Sequence, residues 1–125
     1  MLRDASLMAF IATADAEACR AFYEGVLGLD VVMDTPFALV FDAHGTVLRA
    51  QKVEIVTPAP YTALGWEVTG IEDQIRALTG KGVAMLRFDG MEQDELGIWT
   101  TPGGAKVAWF NDPDGNVLSL TEAPD

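Results

Sequence analysis

The chain says nearly the same thing twice, and that repetition limits its possible folds more than any other feature. The segment Asp42-Ala-His-Gly-Thr-Val-Leu-Arg-Ala50 returns 70 residues later as Asp112-Pro-Asp-Gly-Asn-Val-Leu-Ser-Leu120. Asp42 lies over Asp112, Gly45 over Gly115, and Val47-Leu48 over Val117-Leu118. Each copy reads as an Asp/Gly turn feeding a strand. The helical stretches before them end at Gly25 and Gly80, an offset of only 55 residues. The second copy must therefore carry an insertion between helix and final hairpin, and residues 89–103, a loop by composition, have the required length of 15. A duplicated unit builds a cleft between its copies, so the repeat says where function should lie without saying which chemistry it is.

At 125 residues the chain is one domain with enough length to bury a core. Half of it is hydrophobic and 22% is charged, a globular composition. No run approaches the ~18 apolar residues of a membrane span. The start, Met1-Leu-Arg-Asp-Ala-Ser6, has no long apolar segment behind it and does not read as a secretory leader. Nineteen acids against 8 bases leave a net charge of −11, which repels phosphate backbones and disfavours nucleic acid. The single cysteine, Cys19, cannot close an intramolecular disulfide, and a reducing cytoplasm is expected.

Residues 6–13 form an apolar run of strand length. Asp15 opens a helix to about Leu27, with Cys19, Phe22, Tyr23 and Val26 as its buried stripe and Gly25 and Gly28 at its end. Strands are expected at 29–34, 37–42 and 46–55, joined at Thr35-Pro36 and at His44-Gly45. Thr57-Pro-Ala-Pro60 is the linker, because its prolines suit neither a helix interior nor a central strand. The second half opens with a strand at 62–69. Thr69-Gly-Ile-Glu72 reads as a capping box launching a helix to Leu78, with Ile71, Ile75 and Leu78 inward. Strands at about 83–88, 105–111 and 116–122 complete it, the last two joined by Asp112-Pro-Asp-Gly-Asn116. The predicted fold is α+β: two tandem βαβββ modules, about 1–57 and 61–125, forming a curled mixed sheet with helices on the outer face and a concave cleft.

These residues resemble the vicinal oxygen chelate superfamily, the glyoxalase/bleomycin-resistance/dioxygenase proteins. The matching pieces are Asp15 followed by Phe22-Tyr23 and Val26-Leu27-Gly28-Leu29, the helical unit from Thr69 to Gly82-Val83, and Asp112 to Leu120. Together they span nearly the whole chain. The resemblance implies paired βαβββ modules around a cleft, commonly in a homodimer. It also implies that metal-using relatives place four ligands there, on the first and last strand of each module. Carried over by spacing, those positions are Met8, Arg49, Ala63 and Ser119. None supplies the imidazole or carboxylate that a divalent ion wants, and Arg49 adds a positive charge. No metal and no other cofactor is expected. The one histidine, His44, lies in a turn.

Side chains two apart on a strand share a face. From those four positions the cleft face should carry Met8, Phe10, Val47, Arg49, Gln51, Ala63, Gly65, Glu67, Val117, Ser119 and Thr121. The helix-packed face should carry Leu7, Ile11, Leu48, Leu64, Trp66, Val68, Leu118 and Leu120. An apolar lining with a few polar groups is the usual make-up of a small-molecule pocket. Arg49 could hold an anionic ligand group while Glu67, the one candidate for acid/base catalysis, accepts a proton; alternatively the two charges pair. In the insertion, Met91 and Trp99 could close over a ligand, Trp99 by stacking; equally, Ile98 and Trp99 could form a short strand or a dimer contact. Glu92, Asp94 and Glu95 read as a solvated acidic surface. The expected ligand-binding set is Met8, Phe10, Arg49, Gln51, Glu67, Met91, Trp99 and Ser119. The expected function is metal-independent binding of an apolar or aromatic small molecule by a homodimer with no nucleic-acid or membrane partner. The alternative is a lyase, isomerase or dioxygenase-type enzyme with a displaced metal site or with Glu67 as acid/base.

Overall fold

The computed structural model describes all 125 residues, and the chain divides into two compact units, Met1–Thr57 and Pro58–Asp125. In the first unit, β1 (Met8–Thr13) is followed by helix α1 (Ala16–Arg20) and strands β2 (Asp30–Asp34), β3 (Ala38–Ala43) and β4 (Thr46–Lys52). The sheet order is β1-β4-β3-β2, with β1 parallel to β4 and the other pairs antiparallel. Asp15 caps α1 by accepting a hydrogen bond from the Ala18 N–H at 3.1 Å. The helix then widens into a π-helical turn over Ala21–Val26, where the Leu27 N–H reaches back to the Phe22 carbonyl. Cys19, Phe22 and Tyr23 are buried, as are Leu39, Phe41, Leu48 and Ala50 on one face of the sheet. The Tyr23 and Phe41 rings meet with centroids 5.5 Å apart. This face is the core of the unit.

The second unit repeats the plan with strands β5 (Thr62–Glu67), β6 (Trp99–Thr100), β7 (Lys106–Asn111) and β8 (Val117–Glu122), in sheet order β5-β8-β7-β6. Again the first and last strands run parallel. Helix α2 (Ile71–Gly80) buries Ile71, Ile75 and Leu78, and Ala108, Phe110, Leu118 and Leu120 form the buried face of the sheet. The Asp112–Asn116 turn is tied internally. Asp112 Oδ1 accepts from the Asp114 and Asn116 N–H groups, each at 2.9 Å, and Asn116 Nδ2 donates to Oδ2 at 2.8 Å.

Three expectations are corrected. Residues 83–88 do not form a strand; only a single bridge joins Met85 to Phe110. The fourth strand of this sheet is β6, supplied from the insertion, so the edge of β7 is shared between Met85 and the pair Trp99–Thr100. The physical reason lies in Gln93, whose side chain accepts from the Phe88 N–H at 2.8 Å and donates to the Leu86 carbonyl at 3.0 Å, occupying groups a strand partner would use. The capping box at Thr69 is also absent. Gly70 sits at the N-cap in a left-handed conformation, φ 72°, and no side chain of the first turn caps the helix. Instead the Glu122 carboxylate, from the end of β8, accepts from the Gly70 N–H and from the Ile71 N–H at 3.1 Å. A side chain distant in sequence has taken the role of the local one, and its charge suits the helix N-terminus. Finally, Leu7 lies ahead of β1 without a strand partner and is 76% exposed rather than packed on a helix.

Candidate functional site

Each sheet has a second face that no helix of its own unit covers. In the first unit, strand pairing sets Met8 beside Val47, Phe10 beside Arg49, and Ala12 beside Gln51. Across the next pair Arg49 faces Val40, and Val40 in turn faces Met33. Met8, Phe10 and Met33 are exposed at 46%, 56% and 55%, an unusual density of uncovered apolar surface on one sheet face. Arg49 is half-buried in the middle of it, and Gln51 is exposed at its end. The ion pairs of the chain involve Arg20, Lys52 and Arg76 and include neither Arg49 nor Glu67. Within its own unit Arg49 therefore has no acidic partner, and its guanidinium sits on an apolar surface.

In the second unit the uncovered face is arranged in rows. One row runs Gly65, Ser119, Trp109 across β5, β8 and β7; the next runs Glu67, Thr121, Val107, Trp99 out to β6. A bulge at Ala63 shifts the register, so Thr62 stands opposite Val117 as Met8 stands opposite Val47 in the first unit. Trp109 is the centre of an aromatic group. Phe88 meets it edge-on with centroids 5.3 Å apart, and Trp99 lies at 6.3 Å, tilted by 31°. The Trp109 indole N–H donates to Thr62 Oγ1 at 3.1 Å, which fixes the ring and satisfies its only polar group. Glu67 is exposed at the end of β5.

The insertion that carries Trp99 is held by its own side chains. Besides the Gln93 bonds already described, Gln93 Nε2 donates to the Gly97 carbonyl at 2.9 Å. Asp94 Oδ1 accepts from the Leu96 and Ile98 N–H groups at 2.9 and 2.8 Å. The Arg87 guanidinium donates to the Asp94 and Glu95 carbonyls. Met91 is half-buried in this loop, and its N–H donates to the Phe88 carbonyl at 3.2 Å. Asp94 is thus a turn-forming group, and no three His, Cys, Asp or Glu side chains of the chain gather as a metal site would require.

Trp109 and Phe88 were outside the expected ligand set. Trp109 was within reach of sequence reasoning: the Asp112–Asn116 turn sets Asn111 opposite Val117, and counting back by two places Trp109 beside Ser119. Phe88 was not, because its segment forms no strand.

The family model for the Glyoxalase/Bleomycin resistance protein/Dioxygenase superfamily matches residues 6–120. The chain belongs to this superfamily. Solved structures agree in fold with this superfamily member. A glyoxalase/bleomycin resistance protein/dioxygenase superfamily member from Sphaerobacter thermophilus DSM 20745 is 24% identical, with TM-score 0.77, covering 98% of this chain and 100% of that one. A glyoxalase family protein from Enterococcus faecalis is 21% identical, with TM-score 0.76 and the same coverage. A lactoylglutathione lyase from Agrobacterium tumefaciens is 16% identical, with TM-score 0.74, covering 97% of this chain and 96% of that one. At these identities the likeness speaks for the fold. No curated protein matches the chain.

The superfamily's metal-using members need four donors on these strands, and the donor set here does not fit a divalent ion. Met8, Arg49, the Thr62–Ala63 bulge and Ser119 offer a thioether, a cation, a hydroxyl beside a methyl, and a second hydroxyl.

Proposed function

We propose that this superfamily member is a metal-independent small-molecule-binding protein that holds an apolar or aromatic ligand against its open sheet faces. The observation that carries the reading is the replacement of the four donor positions by side chains that recognise shape and dipoles rather than a cation. Support comes from the aromatic group Phe88, Trp99 and Trp109 in one unit, and from Met8, Phe10 and Arg49 in the other. Phe10, Met8, Gln51 and Ser119 supply contact area and hydrogen-bonding capacity; Glu67 and Met91 stand at the margins. Arg49 selects for a ligand with an anionic or polar group, since a half-buried guanidinium gains from an anionic partner.

The reading is tested with 8-anilinonaphthalene-1-sulfonate, an aromatic anion. It should bind the native protein and raise its melting temperature, as any ligand of the native state alone must. Arg49→Ala should lose most of that affinity while its stability by urea unfolding stays within about 0.5 kcal/mol of the parent, as for other substitutions away from structural contacts. Equal damage to uptake and to folding would show that Arg49 is structural. Stoichiometric zinc, nickel, iron or manganese in protein purified without chelators would overturn metal independence.

The same reading makes the protein a cytoplasmic homodimer. Exposed Leu7, Val32, Phe37 and Ile55 offer apolar surface for a second copy, and the single buried cysteine suits a reducing compartment. Recovery from a periplasmic or secreted fraction would remove the compartment.

A further inference from the structure

Ser119 is only 7% exposed, yet its side chain enters no hydrogen bond of the chain. The Oγ is not sealed from solvent, so it faces an opening in which a ligand could replace water as its partner. Its neighbours explain why no internal partner is at hand. On β5 the adjacent residue is Gly65, which has no side chain, and on β7 it is Trp109, whose indole N–H is already taken by Thr62. Along the row Gly65–Ser119–Trp109, the Ser119 hydroxyl is the one side-chain polar group left to bond.

Gly65 contributes more than an absence. A Cβ built there would lie 2.7 Å from Ser119 Oγ, so only glycine leaves the hydroxyl in this position. Gly65 is itself exposed and has an ordinary backbone conformation, so no left-handed turn demands glycine here. What the missing side chain provides is space above the strand, bounded by the hydroxyl and the Trp109 ring. A flat ring laid against Trp109 would set a substituent on its edge within reach of Ser119.

The geometry points to Ser119 as the group that selects, among aromatic ligands, those bearing a hydroxyl or carbonyl on the ring, with Gly65 as the opening that admits it. The inference rests on the ligand-binding reading above and narrows it to a substrate class. The serine stands where metal-using relatives would carry a ligand, so here a single hydroxyl, not an ion, meets the oxygen of the bound molecule.

Two probes of matched size separate the possibilities: 2-naphthol and 2-methylnaphthalene, which lacks the hydroxyl. Binding is followed through the indole N–H signals of the three tryptophans in ¹⁵N-labelled protein. Trp66 pairs with Leu120 on the opposite face and serves as the internal control. Both probes should move the Trp109 and Trp99 signals and leave Trp66 in place. The wild type should prefer 2-naphthol by roughly 2- to 12-fold, the factor a neutral hydrogen bond supplies. Ser119→Ala should keep both ligands and abolish the preference. Gly65→Ala should weaken both probes by roughly tenfold, as one intrusive methyl group does in a fitted pocket. A preference that survives Ser119→Ala, or none in the wild type, overturns the role of Ser119 while leaving the binding reading standing. Failure of both probes to move the Trp109 and Trp99 signals of the wild type overturns both.

Discussion

At the scale of single residues, the two copies of the Asp/Gly turn show how like sequences come to have unlike weights. Asp42 is exposed and accepts one hydrogen bond, from the Gly45 N–H at 2.9 Å. Asp112 is 5% exposed and serves two N–H groups and the Asn116 amide. Removing a buried acceptor strands its donors, whereas removing an exposed one hands its donor to water. Asp112→Ala should therefore cost about 2–3 kcal/mol and Asp42→Ala under about 1 kcal/mol, compared through urea midpoints. Equal costs would mean that the second turn is no more tightly built than the first. The same logic separates Arg49 from Arg87. Arg87 spends its donors on loop carbonyls, while the role proposed for Arg49 needs its donors for a ligand.

At the scale of elements, the 89–103 insertion is tied down by its own side chains. Gln93 makes three side-chain hydrogen bonds, to Phe88, Leu86 and Gly97, and so joins the start of the loop to its end. That knot also ties together the segments that carry Phe88 and Trp99, both ring neighbours of Trp109. Gln93→Ala should speed amide exchange over residues 86–98 and lower global stability by about 1–3 kcal/mol, each lost bond being worth roughly 1 kcal/mol. Exchange confined to wild-type rates there would mean that Arg87 and Asp94 suffice. A short strand does form at this end of the insertion, over Trp99–Thr100 and without Ile98, with Trp99 paired to Val107. Helix α2 teaches a related lesson: its cap comes from Glu122, 51 residues beyond Ile71, so the stability of its first turn depends on β8 being in place.

At the scale of the whole molecule, a strong negative charge and exposed apolar surface pull in opposite directions. Bringing together two copies of a chain with net charge −11 is opposed by repulsion that salt screens within about 10 Å at 0.1 M. The proposed homodimer should therefore sediment at twice the 13.4 kDa chain mass at moderate salt and shift toward the monomer as ionic strength falls. A monomer at every salt concentration would remove it. The chain's ion pairs are too exposed to offset this repulsion strongly: both partners in the Arg76 pairs, for example, are more than half exposed.

What the amino-acid order alone determined was whatever depends on periodicity and local turn chemistry. The repeated Asp/Gly turn, the two-residue alternation on β4, β5 and β8, and the apolar stripes of both helices established two βαβββ-like modules and the membership that follows. They also placed Arg49 and Ser119 on the uncovered faces, opposite Phe10 and Gly65. What only the tertiary structure decided was every pairing between groups distant in the chain. Glu122 displaced a plausible local cap; Gln93 took the Phe88 N–H and the Leu86 carbonyl where a strand was predicted; β6 arose from an insertion. The bulge at Ala63 and the aromatic group around Trp109 belong to the same class. Local propensities differ by tenths of a kilocalorie to about one, so a well-placed distant hydrogen bond, worth about as much, is enough to overrule them.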